Sequence, residues 1–329
     1  MDLVKLLDVT LRDGGYKNNF NFLQEQVEKI LFYLDSAGIH YIEIGYRNGP
    51  LKLIPNIGQT GLCHASYITM CRSVIKKAKL TVIFHPKNVT LHDLEEMRYL
   101  GVEVVRICFQ NQDPMLSLQC IEMSLRLGFE VFVNLTRMSQ YTKEEILKLV
   151  SELKNTGISA IYLADSNGSL TPFSIQELFT PLTREHPSLQ FGFHAHDNLF
   201  LAQANAATAI NHGVTLIDSS LLGIGKGAGN LRTEGIASYL YTRKNYSFNV
   251  RDLLEAANYV DSIFKEQYQA LPAKDIILGI FNLSQDDAII LGKFNNIADY
   301  YNKAEQYCHI GKLREISNEK SIDHRPSIG

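Results

Sequence analysis

Two short stretches hold the residues best able to do chemistry. The first is residues 6–21, LLDVTLRDGGYKNNFN. Its apolar, β-branched half ends in Arg12 and Asp13, and Gly14 and Gly15 follow, so a strand stops where charge replaces packing and the backbone can turn freely. Alone, an Arg-Asp pair reads as an ion pair closing a strand end. The second stretch is residues 191–198, FGFHAHDN. Side chains two apart on a strand point the same way, so Gln190, Gly192, His194 and His196 share one face, and Phe191, Phe193 and Ala195 share the other. Two imidazoles side by side in an interior need partners. Hydrogen bonds to Asp165 and Asp197 would make them ordinary core histidines, whereas a divalent cation would use both as neutral ligands. Joined by Asp13, they form a set of two histidines and one carboxylate with positions open to water or substrate. Such ligation by nitrogen and oxygen suits Mn²⁺, Co²⁺, Zn²⁺ or Mg²⁺.

The elements that must position these residues recur along the chain. Five times a helix-like segment ends in Gly and an apolar strand follows at once: AGIHYIEIG, LGVEVVRIC, LGFEVFVNL, TGISAIYLA and HGVTLIDSS. Gly38, Gly101, Gly128, Gly157 and Gly213 suit the left-handed position just past a helix end. The spacing fits a βα repeat of about 30 residues. Two wider gaps each hide a strand, at 79–84 and 189–194, and residues 4–9 bring the total to eight. Amphipathic stretches at 23–37, 91–100, 143–155 and 199–212 supply helices. In the third, Ile146, Leu149, Val150 and Leu153 share one face. Continuous apolar strands alternating with helices make a parallel sheet covered by helices, and eight such units fit a closed (β/α)8 TIM barrel. The expected organisation is a catalytic barrel over residues 1–243, a helical C-terminal region over 244–316 and a disordered tail at 317–329. A barrel of this kind works at the carboxyl ends of its strands. Those ends read Arg12 and Asp13, Glu43, His85, Arg106, Asn134, Asp165, His194 and His196, and Asp218.

Composition narrows the class. The chain has 329 residues, 45% of them hydrophobic, and a formal net charge of −3. It can bury a large core, and it has no basic run to favour nucleic acid or an anionic membrane. No apolar run approaches membrane-spanning length and the first residues do not read as a signal peptide. Cys63, Cys71, Cys108, Cys120 and Cys308 are odd in number and lack a CxxC pair, which reads as reduced thiols in a cytoplasmic protein.

In this order, LLDVTLRDGG, IEIGY, LADSNG, HAHDN and GIGKGAGN resemble the metal-dependent lyase and synthase superfamily known by its DRE motif and TIM barrel, nearest its aldolase branch. The resemblance covers about residues 3–243. It implies Asp13, His194 and His196 as metal ligands with Asn230 at or near them, Mn²⁺ as the first expected ion, and Arg12 as the catalytic arginine facing an enolate. The CoA-lyase branch carries a cysteine in the glycine-rich loop, and the synthase branch reads RDGEQ; this chain has neither. The aldolase branch usually has a histidine three residues after the ligand aspartate. Here that position is Tyr16, an intrinsically poor base with an ordinary pKa near 10.

The expected reaction is cleavage of a 4-hydroxy-2-oxo acid to pyruvate and an aldehyde through an enolate held at the metal. Arg12 adds a fixed positive fork, and Tyr16 or His85 takes the hydroxyl proton. Glu43 and Asp165 orient waters or Arg12, or else form a structural ion pair with Arg106. Arg106 and Asn134 are candidates to bind substrate. Two alternatives are a Claisen-type acyl-CoA synthase or lyase and a non-catalytic barrel that binds an oxo acid. The glycine-rich segment around Lys226 matches no phosphate loop and reads as a loop after strand eight. Beyond the barrel, apolar residues such as Leu253, Leu254, Tyr259, Phe264, Tyr268, Ile277, Ile289, Ile290 and Leu291 need cover, either from the barrel flank or from another chain. A homo-oligomer is the first expectation, and the resemblance also implies an aldehyde dehydrogenase as a possible partner.

Overall fold

The computed structural model describes residues 3–244, 247–264, 273–293 and 297–322. Eight parallel strands close into a barrel in sequence order. They are β1 (Lys5–Asp8), β2 (Tyr41–Tyr46), β3 (Lys79–Phe84), β4 (Val104–Cys108), β5 (Glu130–Leu135), β6 (Ala160–Asp165), β7 (Gln190–Ala195) and β8 (Leu216–Ser219). Around them run α1 (Gln24–Ser36), α2 (Ala65–Val74), α3 (Leu91–Tyr99), α4 (Pro114–Arg126), α5 (Lys143–Leu153), α6 (Pro172–Glu185), α7 (Ala202–Asn211) and α8 (Thr233–Thr242). The (β/α)8 expectation holds. Gly38, Gly101, Gly128, Gly157 and Gly213 all have positive φ, from 78° to 91°, as the left-handed helix-end position requires. Thr90 on α3 and Thr142 on α5 each close a capping box, which fixes where those helices start.

Each strand has one face on the helices and one inside the barrel. The outer faces form one large apolar core with the helices, including Ile42, Val82, Val105, Val133, Phe191 and Phe193. The inner faces are built in two layers. Leu7, Tyr41, Val104, Phe132, Tyr162 and Leu216 pack together as an apolar floor. Two residues further along the same faces stand Glu43, Arg106, Asn134 and Asp218, and on β7 His194 follows Gly192. The two-residue period that seals the floor therefore raises a polar layer directly above it. A Cβ at Gly192 would lie 2.4 Å from the Tyr162 ring, so the missing side chain is what lets that ring fill the floor.

Among the described residues four further helices follow: α9 (Val250–Phe264), α10 (Ala273–Ile280), α11 (Gln285–Leu291) and α12 (Ile297–Ile322). Helix α9 packs on α1 and α8, burying Leu253, Ala256, Val260 and Phe264. Helices α10–α12 form their own small core, including Leu278, Leu283, Leu291 and Tyr300. The turn between α10 and α11 crosses the barrel mouth. There Asn282 accepts at Oδ1 from Ser139, Asn167 and Ser169 at 2.7, 2.7 and 2.9 Å. Much of the C-terminal apolar surface is thus covered by the chain itself. Tyr268 lies outside the described residues. From Ser317, where the sequence reading has the tail begin, α12 continues to Ile322, and residues 323–329 lie outside the described residues. Among the described residues no helix is long and apolar enough to cross a membrane, and the five cysteines are unpaired.

Gly192→Ala is expected to lower folding stability by about 1–3 kcal/mol, the usual cost of overpacking a filled core. An unchanged urea midpoint would mean that the barrel floor has slack that the geometry does not allow.

Candidate active site

A cavity of about 1080 Å³ opens at the carboxyl ends of the strands. Arg12, Asp13, His85, Asn134, His194 and His196 line it from the barrel, and residues 280–287 line it from above. The α10–α11 segment is therefore part of the cavity wall.

Asp13, His194 and His196 each aim one ligand atom at a common point, with all three atoms within 4.8 Å of one another. The outer nitrogens of the imidazoles are engaged. His194 Nδ1 lies 3.0 Å from Asp218 Oδ2, and His196 Nδ1 lies 3.0 Å from the Gly229 carbonyl. Both partners accept, so both Nδ1 atoms carry the proton and both Nε2 atoms present lone pairs. Those two Nε2 atoms stand 3.4 Å apart. Two facing lone pairs repel unless a proton or cation lies between them. Burial, opposed by Asp13 and reinforced by His194 and Arg12, pushes His196 down to about 4, so a proton is disfavoured at neutral pH. A divalent cation fits this donor set. Asn230 closes the fourth side. Its Nδ2 donates to Asp13 Oδ2 at 2.7 Å, while its buried Oδ1 has no partner. The loop after β8 delivers it, and the bare Gly225 backbone packs against both residues: a Cβ there would sit 2.7 Å from Asp13 Oδ2.

From Asp13 to His194 an unbroken chain of charged and polar contacts runs through the barrel. Arg12 donates to Asp13 Oδ1 at 2.7 Å and to Glu43 Oε1 at 2.5 Å. Arg106 donates to Glu43 Oε2 at 3.0 Å and to Asp218 Oδ2 at 2.7 Å. Asp218 then meets His194. Burial alone would raise Asp13 and Asp218. The Arg12 guanidinium and the imidazoles hold Asp13 below the carboxylate range, and Arg106 and His194 do the same for Asp218.

The HMGL-like family profile matches residues 3–260. The chain belongs to the HMGL-like family. A 4-hydroxy-2-oxovalerate aldolase from Bacillus cereus is 32% identical over 247 residues, covering 75% of this chain and 72% of the relative. One from Chloroflexus aggregans is 33% identical over 281 residues, 84% and 80% of the two chains. In three dimensions, the N-terminal domain of a Bacteroides vulgatus protein matches with a TM-score of 0.77 at 29% identity, covering 90% of this chain and 99% of that domain. This HMGL-like chain is an aldolase, a carbon–carbon lyase.

Not every strand-end residue of the HMGL-like barrel reaches the cavity. Arg106, read from sequence as a substrate-binding candidate, is 0% exposed and held between Glu43 and Asp218. With its guanidinium 4.3 Å above the Tyr162 ring, it is a strut of the charge chain. Glu43 is at once the partner of Arg12 and of Arg106, so both sequence readings of it apply. Asp165 pairs with neither arginine. It accepts from the backbone N–H of Ser169 and Leu170 at 3.2 and 2.9 Å and shapes the loop after β6. The histidines find Asp218 and a backbone carbonyl rather than Asp165 and Asp197. Asp218 was visible as a strand end, but the sequence offered no sign of its bond to His194.

The two candidate bases differ in state. Burial pushes Tyr16 up to about 12, with its hydroxyl 3.5 Å from that of Tyr46. It stays a phenol at neutral pH, carrying its proton into the site. His85 stacks on Tyr46 with centroids 5.8 Å apart and rings inclined by 11°, and its buried Nδ1 has no protein partner. Burial, helped by the Arg12 charge, pushes it down to about 4, so it is a neutral imidazole. Between about pH 4 and the ordinary histidine value near 6.5, the unfolded chain takes up a proton that folded His85 refuses, so stability rises with pH through that window. We expect the wild type to lose stability as pH falls from about 6.5 to 4, and His85→Gln to show a shallower slope. His40, also pushed by burial to about 4, keeps part of the slope. Equal slopes by urea titration would show that His85 titrates normally in the fold.

Proposed function

We propose that this chain is a divalent-metal-dependent aldolase that cleaves, or in reverse forms, a 4-hydroxy-2-oxo acid, giving pyruvate and an aldehyde. The observation that carries the reading is the convergence of Asp13 and two proton-free imidazole nitrogens beside Arg12. The relatives named 4-hydroxy-2-oxovalerate aldolase support the substrate class. Asp13, His194 and His196 would hold the ion, with Asn230 Oδ1 available as a fourth donor, and Mn²⁺ is the first ion to test. A cation bound there supplies Lewis-acid polarisation of the 2-oxo group.

The remaining work falls to the chain's own residues. Arg12 spends Nε on Glu43 and Nη1 on Asp13, so Nη2 is left for the oxygen on which negative charge grows as the C3–C4 bond breaks. Because Glu43 and Asp13 fix the guanidinium beforehand, it does not reorganise during the reaction. His85 takes the C4 hydroxyl proton, the C3–C4 electron pair passes into the pyruvate enolate, and the aldehyde departs. Tyr16 keeps its proton and can only donate. Charge balance also favours an anionic substrate. The buried chain holds two arginines and three carboxylates, a net −1; a divalent ion makes this +1, and one substrate carboxylate neutralises it. For assembly, homo-oligomerisation through the C-terminal helices remains our reading ahead of a dehydrogenase partner, with exposed Leu254, Ile289 and Ile290 as its apolar contribution.

His194→Ala or His196→Ala should strip the bound ion, read by elemental analysis, and remove the stabilisation that saturating metal gives, about 2.7 kcal/mol at a hundred times Kd. Full metal stoichiometry in the double variant would sink the site. Arg12→Lys should keep its metal and lose kcat by on the order of 10²-fold, because an ammonium cannot reproduce the planar fork. A near-normal kcat would leave Arg12 as no more than an ion pair.

A further inference from the structure

The arc of the barrel away from β8 and β1 carries a second set of polar groups. Gln110 stands just past β4, Asn134 near the end of β5 and Asn167 just past β6. All three line the cavity and are at least nine-tenths buried, at 7%, 5% and 1% exposure. Each keeps a buried polar atom without a partner among the described residues: Nε2 of Gln110, Oδ1 of Asn134 and Oδ1 of Asn167. The Asn167 amide cannot turn to hide its oxygen, because its Nδ2 donates to Oδ1 and O of Asn282 at 2.7 and 3.1 Å. The arc thus offers one donor and two acceptors and no charge. Buried groups of this kind call for partners.

The chemistry of those three atoms discriminates between aldehydes. An alkyl chain would leave all of them unpaired. A phosphate or carboxylate only accepts, so it would set lone pairs against both asparagine oxygens. A hydroxyl donates one hydrogen bond and accepts others, so a run of hydroxyls satisfies both kinds. Size points the same way. At about 1080 Å³, the cavity exceeds the roughly 300–1,000 Å³ typical of drug-sized ligands, far more than a five-carbon oxo acid fills. At the rim, Arg137 already has a carboxylate partner, Asp286 at 2.8 Å, which Lys52 shares at 3.7 Å. We propose that the aldehyde half is an uncharged polyhydroxylated chain, so that the acid cleaved is a 3-deoxy-2-oxo aldonate. The inference rests on the aldolase reading above and adds the acceptor class to it.

Binding tests it without turnover. Full-length protein loaded with Mn²⁺ is titrated calorimetrically with two unreactive acids of equal chain length: a 3-deoxyhexonate, hydroxylated from C4 onward, and 2-hydroxyhexanoate. The hydroxylated acid should bind at least tenfold tighter, and Gln110→Leu should cut that ratio while leaving 2-hydroxyhexanoate affinity unchanged. Equal affinities in the wild type overturn the proposal, as does a ratio that survives in both Gln110→Leu and Asn134→Leu. Deuterium exchange from solvent into the pyruvate methyl group reports the enolate separately. Exchange without hydroxyl preference removes the acceptor class and spares the aldolase; preference without exchange keeps only hydroxyl recognition and overturns the aldolase reading and the aldehyde assignment that rests on it. In condensation with pyruvate, erythrose should outrun acetaldehyde at least tenfold in kcat/KM. Faster turnover of erythrose 4-phosphate than of erythrose would overturn the uncharged tail.

Discussion

The site depends on one buried chain of opposite charges: Asp13, Arg12, Glu43, Arg106, Asp218 and, at its end, His194. Taking five full charges out of water is costly, and their mutual attraction compensates only when each carboxylate meets its guanidinium in good geometry. Removing one member leaves an uncompensated buried charge, at about 3–5 kcal/mol in comparable cases. The chain therefore tolerates little movement. Because it starts at Asp13 and ends at His194, the same rigidity fixes the distance between two of the three residues that we propose as metal ligands. Arg12 lies inside the chain as well, so the group we propose to face developing charge is held by the same structure as Asp13 and His194.

Such a chain has to be carried by the sheet, and the two-residue period of the strands does this. Tyr41, Val104, Phe132 and Leu216 close the floor, and the next inward residues are Glu43, Arg106, Asn134 and Asp218. Neighbouring strands are in register across the ring, for example Ile83 with Arg106 and Arg106 with Phe132. The polar layer is thus set by the same pairing that forms the barrel. A one-residue slip of β4 would turn Arg106 toward the helices and break its pairs with both Glu43 and Asp218. Fold and site are specified by one register.

This explains which parts could be read from the chain alone. Helix-end glycines and apolar strands are local signals, and they are enough for eight βα units. The inward residues of the strand ends follow from the period, so Glu43, His194 and Asp218 could be named as facing a common centre, whereas Arg12 and Asp13 lie in the turn past β1 and were named from their place after it. Their pairings could not. Arg106 read as a substrate contact because nothing local says that Glu43 and Asp218, 63 and 112 residues away, reach it first. Asp165 read as a partner for a histidine or for Arg106, yet its own loop turns back to supply two N–H donors. The cap over the mouth was hidden for a similar reason. Asn282 meets Ser139, Asn167 and Ser169 across 113 to 143 residues of sequence, and no periodicity records that meeting.

The substitution that most disturbs the expected chemistry, Tyr16, shows how one position is read through its neighbours. Tyr16 packs edge-on against Phe20 and Tyr46 with centroids 5.0 and 6.5 Å apart, and Tyr46 in turn stacks on His85. Arg12 lies 5.9 Å from the Tyr46 ring. Burial in this aromatic group raises the phenol and lowers the imidazole, and the Arg12 charge pushes the imidazole further in the same direction. The two candidates are thereby driven to opposite roles at neutral pH, one keeping its proton and the other free to take one. Separation of paired groups in this way is how a site divides acid from base. It leaves His85, just past β3 and lining the same cavity as Arg12, Gln110 and Asn134, as the group able to take a hydroxyl proton in the reaction we propose.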